Sequence, residues 1–236
     1  MFGTTQHASR QYDQDLEDIR SSVLRMGGLV EKQVRDAMLG IDTREDHIFE
    51  GVIRADQEVN AMEITMDAAC VEVIARRQPA ANDLRMILAV SKAITDLERI
   101  GDEASKIARC GRDISARSIS VIPVLADLRL ISERALLMLQ AALDAFARLD
   151  VQAAAQVISQ DDEIDARFRA IQRQLITHMM EDTRLIGTAI DVTFIAKSIE
   201  RIGDHAKNIA EYVIYVVKGL DIRHSTRETV EQSLNS

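Results

Sequence analysis

Residues 96–108 read DLERIGDEASKIA, and residues 199–210 read IERIGDHAKNIA. The shared segment, LERIGD at 97–102 and IERIGD at 199–204, recurs at an offset of 102 residues. Around the first copy, Met86, Val90, Ala93, Leu97, Ile100, Ala104 and Ile107 alternate spacings of three and four. Around the second, Val192, Ile195, Ile199, Ile202, Ala206 and Ile209 do the same. That period marks a helix with one buried stripe. The repeat extends upstream. Asp56, Glu58 and Val59 return as Asp161, Glu163 and Ile164 at an offset of 105, and Asp36-Ala37 with Asp42 returns as Asp144-Ala145 with Asp150 at 108. The offset falls by three at each turn between helices, so the length differences sit in loops, where insertions are tolerated.

Four further stripes fill the gaps. They are Leu16 to Ile41, Val52 to Val73, Leu128 to Leu149, and Ile164, Phe168, Ile171 and Leu175. The expected fold is therefore all-α: two tandem three-helix bundles related by an internal pseudo-twofold, over 8–115 and 119–219, with a polar tail at 220–236. Thr43, ahead of an acidic first turn, reads as an N-cap, and Pro79 must end or kink the second helix. Asn82 or Asp83 caps the third helix, and Ser118 to Pro123 divides the halves, with Pro123 suited to a first helical turn. Asp150 and Thr183 mark the last two turns, and Gly219 suits the residue after the sixth helix.

Composition narrows the function. With 38 acidic and 29 basic residues in 236, the net charge is −9, which repels phosphate backbones and anionic lipid. Trp is absent and Phe and Tyr number only 5 and 3, leaving few rings on which bases could stack. No apolar run approaches the ~20 residues that span a bilayer, and the N-terminal segment lacks a signal-peptide core. Cys70 and Cys110 show no metal-finger spacing and fit a reduced, cytoplasmic setting.

The chemistry worth following is acidic. Glu98 and Asp102 are four apart and share a helix face, as do Glu200 and Asp204. At about 100° per residue both pairs fall on an outer flank of the stripe, with Ser91 and Ser105 on the same side as the first. Asp56 and Asn60 flank the second helix beside Val59, and Asp161 and Asp165 lie likewise beside Ile164. Two helices of each bundle thus bring i,i+4 oxygen pairs toward one groove. Unpaired they repel, and a hard cation relieves the repulsion; Mg, Mn, Fe or Zn suit carboxylates with water. A single such pair is ordinarily a solvated face, and Glu63/Asp67, without a counterpart in the other half, is read as one. The repeated placement favours metal.

The other polar residues are read more plainly. Arg99 and Arg201 point away from the core and are taken as ion-pair partners, and Gly101 and Gly203 as sites of close helix approach. Gly27-Gly28 is either such an approach or a hinge. Leu84, Ile87 and Ile94 lie off the stripe, either as a partner or dimer surface or, preferred here, covered by the neighbouring helix. His7, His47, His178, His205 and His224 are scattered, and His205 is read as exposed rather than as a ligand. There is no Glu-xx-His pair of the buried di-iron kind, no phosphate-binding glycine loop and no GxSxG nucleophile motif.

MGGLVEKQV at 26–34, RRQPAANDLR at 76–85, DLERIGDEASKIA at 96–108 and IERIGDHAKNIAEYVIYVVKG at 199–219 together resemble the PhoU family, from about residue 8 to 219. The resemblance implies paired three-helix bundles, often dimeric, with multinuclear iron or zinc clusters in some members. Carried over, it places metal ligands at Asp56, Glu98 and Asp102 in the first half and at Asp161, Asp165, Glu200 and Asp204 in the second. Asn60 stands where the second half has Asp165, so the first cluster is expected to be less charged; Thr183 stands where the family often has proline. The family role implied is a non-enzymatic cytoplasmic regulator of phosphate uptake. It restrains the phosphate-starvation response by bridging the phosphate ABC transporter's ATPase and a sensor histidine kinase. The alternative is a carboxylate-bridged metal-binding or metal-dependent phosphoester-hydrolysing protein. A plain helical scaffold is the third reading.

Overall fold

The periodic stripes become helices of nearly the expected bounds. The computed structural model describes residues 4–117 and 124–222. Its helices are α1 (Thr4–Thr43), α2 (Asp46–Arg77), α3 (Ala81–Ala116), α4 (Leu125–Arg148), α5 (Val151–Glu181) and α6 (Ile186–Lys218), with a short 3₁₀ turn at Thr183–Leu185 before α6. Strands are absent among the described residues.

The stops follow local chemistry. Proline cannot extend a helix, and α2 ends at Arg77, with Gln78 left-handed ahead of Pro79. Asp150 caps α5 by accepting from the Gln152 and Ala153 N–H groups at 3.0 Å. Gly219, at φ 72°, closes α6 by donating its N–H to the Tyr215 carbonyl. Asp182, rather than Thr183, caps the 3₁₀ turn, accepting from the Arg184 N–H. Two caps differ from expectation. Thr43 is the last residue of α1 and its hydroxyl donates back to the Leu39 carbonyl, while Glu45 precedes α2 without a capping bond. Ala80 precedes α3, which leaves Asn82 and Asp83 inside its first turn. Ser118 to Pro123 and 223–236 lie outside the described residues. Of the expected polar tail, Ile222 is in fact buried against the core.

Helices α1, α2 and α3 pack on one another, as do α4, α5 and α6, and the halves join through α3 against α6 and α1 against α4. Each joining helix meets its own counterpart, as a pseudo-twofold requires. The duplicated ERIGD helices are therefore the central pair. Leu97, Ile100, Ala104, Ile199, Ile202 and Ala206 are fully enclosed. Of the off-stripe residues of α3, Ile87 and Ile94 are buried and so are covered, while Leu84 is half-buried. Phe49 fills the space that Gly40 and Gly111 leave; a Cβ on either would stand 2.6–2.7 Å from its ring. The Gly27-Gly28 alternatives separate here. A Cβ at Gly27 would meet Leu143 of α4 at 2.6 Å, whereas Gly28 faces open space.

Candidate metal centre

The first acidic patch is built by α2 and α3. Gly101 sits where these helices approach closely: a Cβ there would lie 3.3 Å from Val59 and 3.4 Å from the Asp56 Oδ1. The absent side chain lets the Asp56 turn lie against the turn of Glu98 and Asp102. Asp56 is buried and its Oδ1 has no hydrogen-bond partner; the same holds for the Asn60 Oδ1. Burial, then the charge of Asp102, pushes the Asp56 carboxyl above the ordinary aspartate range. Glu98 is raised by burial and then by Asp102, Glu63 and Asp56. Glu63 is raised by burial, then by Asp67 and, after Arg99 in the opposite sense, Asp102. Four carboxylates therefore feel one another across the groove.

Glu63 is the residue that sequence reasoning set aside. Asp56, Asn60 and Glu63 stand at i, i+4 and i+7 on α2, a spacing that keeps all three on one helix face. Glu63 supplies the negative charge that Asn60 lacks, so the first patch is not the poorer one. Asp67, one turn further, accepts from the Ser91 hydroxyl at 2.8 Å.

The second patch is built by α5 and α6 in the same way. Gly203 again marks the close approach, with a Cβ there 2.9 Å from the Ile164 Cδ1. Asp161 and Asp165 face Glu200 and Asp204, and burial, then Glu200 and Asp161, lift the Asp204 carboxyl to about 6. Here lysines intervene. The Lys197 Nζ donates to both Glu200 oxygens at 2.6 and 2.5 Å, and the Lys207 Nζ donates to the Asp161 Oδ2 at 2.6 Å. Burial disfavours the Lys207 charge, but the bond to Asp161 and the charges of Asp161, Glu211 and Asp204 hold its pKa above the ordinary value. Arg169 lies 3.7 Å from Asp165.

Two placements correct the helical-wheel reading. The flank is less exposed than expected: Asp56 and Glu200 are buried, Glu98, Asp102, Asp161, Asp165 and Asp204 are half-buried, and Ser105 is fully enclosed. His205 is not exposed; it is buried and pairs through Nδ1 with Asp96 at 2.7 Å. Arg201 lies 3.2 Å from Glu103, the ion pair expected of it.

The donor set fits a hard cation: all oxygen, anionic in excess, with orphaned acceptors at Asp56 and Asn60. In their present conformations no three Asp, Glu, His or Cys side chains among the described residues gather on one ion, so binding requires side chains to rotate inward. Cys70 and Cys110 are free, and burial pushes both thiols up to about 11, which suits packing rather than attack.

The profile described as the PhoU domain matches this chain twice, at residues 23–111 and 128–213. The chain belongs to the PhoU family. The two PhoU matches are offset by 105 residues at their starts and 102 at their ends, the spacing of the internal repeat. The phosphate-specific transport system accessory protein PhoU of Serratia marcescens is 44% identical over 97% of this chain and 93% of its own. The PhoU homolog of Pseudomonas aeruginosa is 46% identical over 93% of this chain and 90% of its own. The crystal structure of PhoU from Pseudomonas aeruginosa superposes with a TM-score of 0.86 at 45% identity, covering 89% of this chain and all of that one. The phosphate transport system regulatory protein PhoU from Streptococcus pneumoniae reaches 0.81 at 25% identity, over 89% of this chain and 98% of that one. The all-α, twofold-repeated architecture is thus that of the PhoU fold.

Proposed function

We propose that this chain is a non-enzymatic regulator of phosphate uptake that restrains the phosphate-starvation response when phosphate is plentiful. Its place is the cytoplasmic side of the phosphate ABC transporter, where it bridges the transporter's ATPase subunit and a sensor histidine kinase. The observation that carries this is family membership over nearly the whole chain. Relatives at 44–46% identity are named as accessory proteins of the phosphate-specific transport system. No helix among the described residues is long and apolar enough to cross a membrane, in keeping with a partner that docks on the transporter.

Homodimer formation is part of the proposal. Ile176 on α5, with Ile190 and Phe194 on α6, are exposed and line one shared groove, an apolar strip of the kind that interfaces use. The second part is a cation role for Asp56, Glu98, Asp102, Asp161, Asp165, Glu200 and Asp204. Iron or zinc, with manganese or magnesium as alternatives, would supply positive charge that tethers α2 to α3 or α5 to α6. The residues' own contribution is to present oxygens from two helices at one level, fixed by Gly101 and Gly203. The orphaned oxygens at Asp56 and Asn60 support this reading. Hydrolysis of phosphoesters is the competing reading, and a purified, metal-supplemented chain that turned them over would favour it.

Deleting the gene tests the regulatory claim. Phosphate-scavenging genes should switch on in phosphate-rich medium and be silenced again by the intact chain. Expression that stays low in the deletion overturns the reading.

A further inference from the structure

The two acidic patches descend from one repeat, yet different groups face them. In the second half, Lys197 and Lys207 bind Glu200 and Asp161. At the offset of 102 the corresponding first-half residues are Thr95 and Ser105. Thr95 donates its hydroxyl to the Ser91 carbonyl, and the enclosed Ser105 hydroxyl lies beside Asp56 without a well-formed hydrogen bond. The first half therefore has no ammonium where the second has two.

The helix on the other side of the patch differs as well. Gln33 of α1 is 3% exposed, and its Nε2 points at the Val52 carbonyl, 3.4 Å away. Its Oε1 is thereby turned toward α3, where it has no partner. It lies 3.2 Å from the position a Gly101 Cβ would take, and the Asp56 Oδ1 lies 3.4 Å from the same point. Two acceptor oxygens from two helices thus converge on the cradle that glycine leaves on a third. The Asn60 Oδ1, one turn along α2 from Asp56, is likewise a buried acceptor without a donor. A buried acceptor left without a donor is unfavourable, and a cation would satisfy it. The second-half counterpart of Gln33, at the offset of 108, is Ala141, which has no oxygen to offer.

We propose that the first half alone holds a divalent cation in this chain, with the Gln33 carbonyl of α1 as a third-helix oxygen donor beside the acids of α2 and α3, while Lys197 and Lys207 serve the second half as built-in counter-cations. The inference rests on the cation reading above and narrows it: Asp161, Asp165, Glu200 and Asp204 leave the ligand set, because lysine already meets the charge of their patch. An ammonium bonded to a carboxylate occupies the electrostatic role that the metal would fill, so a second-half ion must first displace it. In the first half Lys106, Arg109 and Arg99 ease the acids only through space, and none is bonded to Asp56, Glu98 or Asp102, so the groove between those carboxylates is left for an ion.

The test uses the full chain, stripped with chelator, dialysed and titrated with manganese chloride alone, with free Mn²⁺ read by electron paramagnetic resonance. Wild type should bind in one class of sites. Gln33→Leu should weaken that binding roughly 10- to 100-fold, the range for groups that support a metal ligand set. Gln33→Glu, which keeps the oxygen, should retain it, and this separates ligation from a loss of packing. Asp161→Asn with Asp165→Asn should leave binding unchanged. Lys197→Met with Lys207→Met should add a second class. Wild type that binds no Mn²⁺ overturns both this inference and the cation reading beneath it. Binding that persists in Gln33→Leu, or that halves in the Asp161/Asp165 variant, overturns this inference alone.

Discussion

Asp96 of α3 accepts a hydrogen bond from the His205 Nδ1 of α6 at 2.7 Å, and the contact has a twin: Glu103 accepts from the Ser198 hydroxyl at 2.8 Å. The offset of 102 that carries position 96 to 198 also carries 103 to 205. The two bonds are one interhelical contact made twice across the pseudo-twofold, with different side chains in each copy. Both carboxylates are buried. Asp96 accepts further bonds from Asn208 at 3.1 Å and the Tyr212 hydroxyl at 2.7 Å; Glu103 adds Lys106 at 2.9 Å and Arg201 at 3.2 Å. The seam joining the halves is thus fastened by two satisfied carboxylates set in an apolar core.

Asp96 should therefore be among the most sensitive positions in the chain. Asp96→Ala leaves His205, Asn208 and Tyr212 donors facing an apolar gap, and should destabilise by about 3–5 kcal/mol, as for removal of one member of a buried pair. Tyr212→Phe removes one bond to a charged acceptor and should cost about 1.5–3 kcal/mol. Urea unfolding followed by circular dichroism measures both, and equal, small effects would mean that the seam is held by apolar packing alone.

The adjacent glycines of α1 should respond in opposite senses. Gly28→Ala adds a methyl to open space and recovers helix propensity, stabilising by up to about 1 kcal/mol. Gly27→Ala drives a methyl to 2.6 Å from the Leu143 Cδ1, and overpacking of that kind should cost about 1–3 kcal/mol. Melting temperatures of the two variants decide it; a matching gain in both would show that α1 and α4 can part without loss.

Asp204 predicts a pH signature. Its carboxyl is raised from 3.8 to about 6 by burial, then by Glu200 and Asp161, with Lys197 opposing. Between those values the folded chain holds a proton that the unfolded chain has released, so stability falls as pH rises through the window and stays lowered above it. Asp204→Asn should be more stable than wild type at pH 7, and the advantage should vanish toward pH 4. Solvent screening of this half-buried group limits the gain to about 1 kcal/mol, or about 2–4 °C in melting temperature for a chain of this size. A difference that does not change with pH would refute the assignment.

Neither thiol should react readily in the folded chain. Burial raises Cys70 and Cys110 to about 11, leaving little thiolate at pH 7.5. Iodoacetamide followed by intact mass should show no rapid adduct until urea is added; fast labelling of the native chain would contradict the packing role.

The helices were legible because their stripes are long and their period unambiguous: of the residues of α3 and α6 named from spacing alone, Met86 to Ile107 and Val192 to Ile209, all are buried but Met86, which is half-buried against the core. The repeat also located the two acidic patches. Three things escaped one-dimensional reading. A helical wheel places Ser105 and His205 on a polar flank, but it does not show that Ser105 lies against Asp56 of α2 or that His205 is paired with Asp96 of α3. Glu63 could have been found from its i+7 spacing to Asp56; it was hidden by pairing it with Asp67 instead. Gln33 interrupts an apolar stripe on α1, and only the packing of α1 on α3 brings its oxygen to Gly101.

The cation claim meets its most direct trial in elemental analysis of untagged protein purified without chelator, compared with the Glu98→Gln/Asp102→Asn variant. Bound iron, zinc or manganese in wild type that is lost in the variant is the predicted result. Wild type devoid of metal, or a variant carrying the same content, would contradict it.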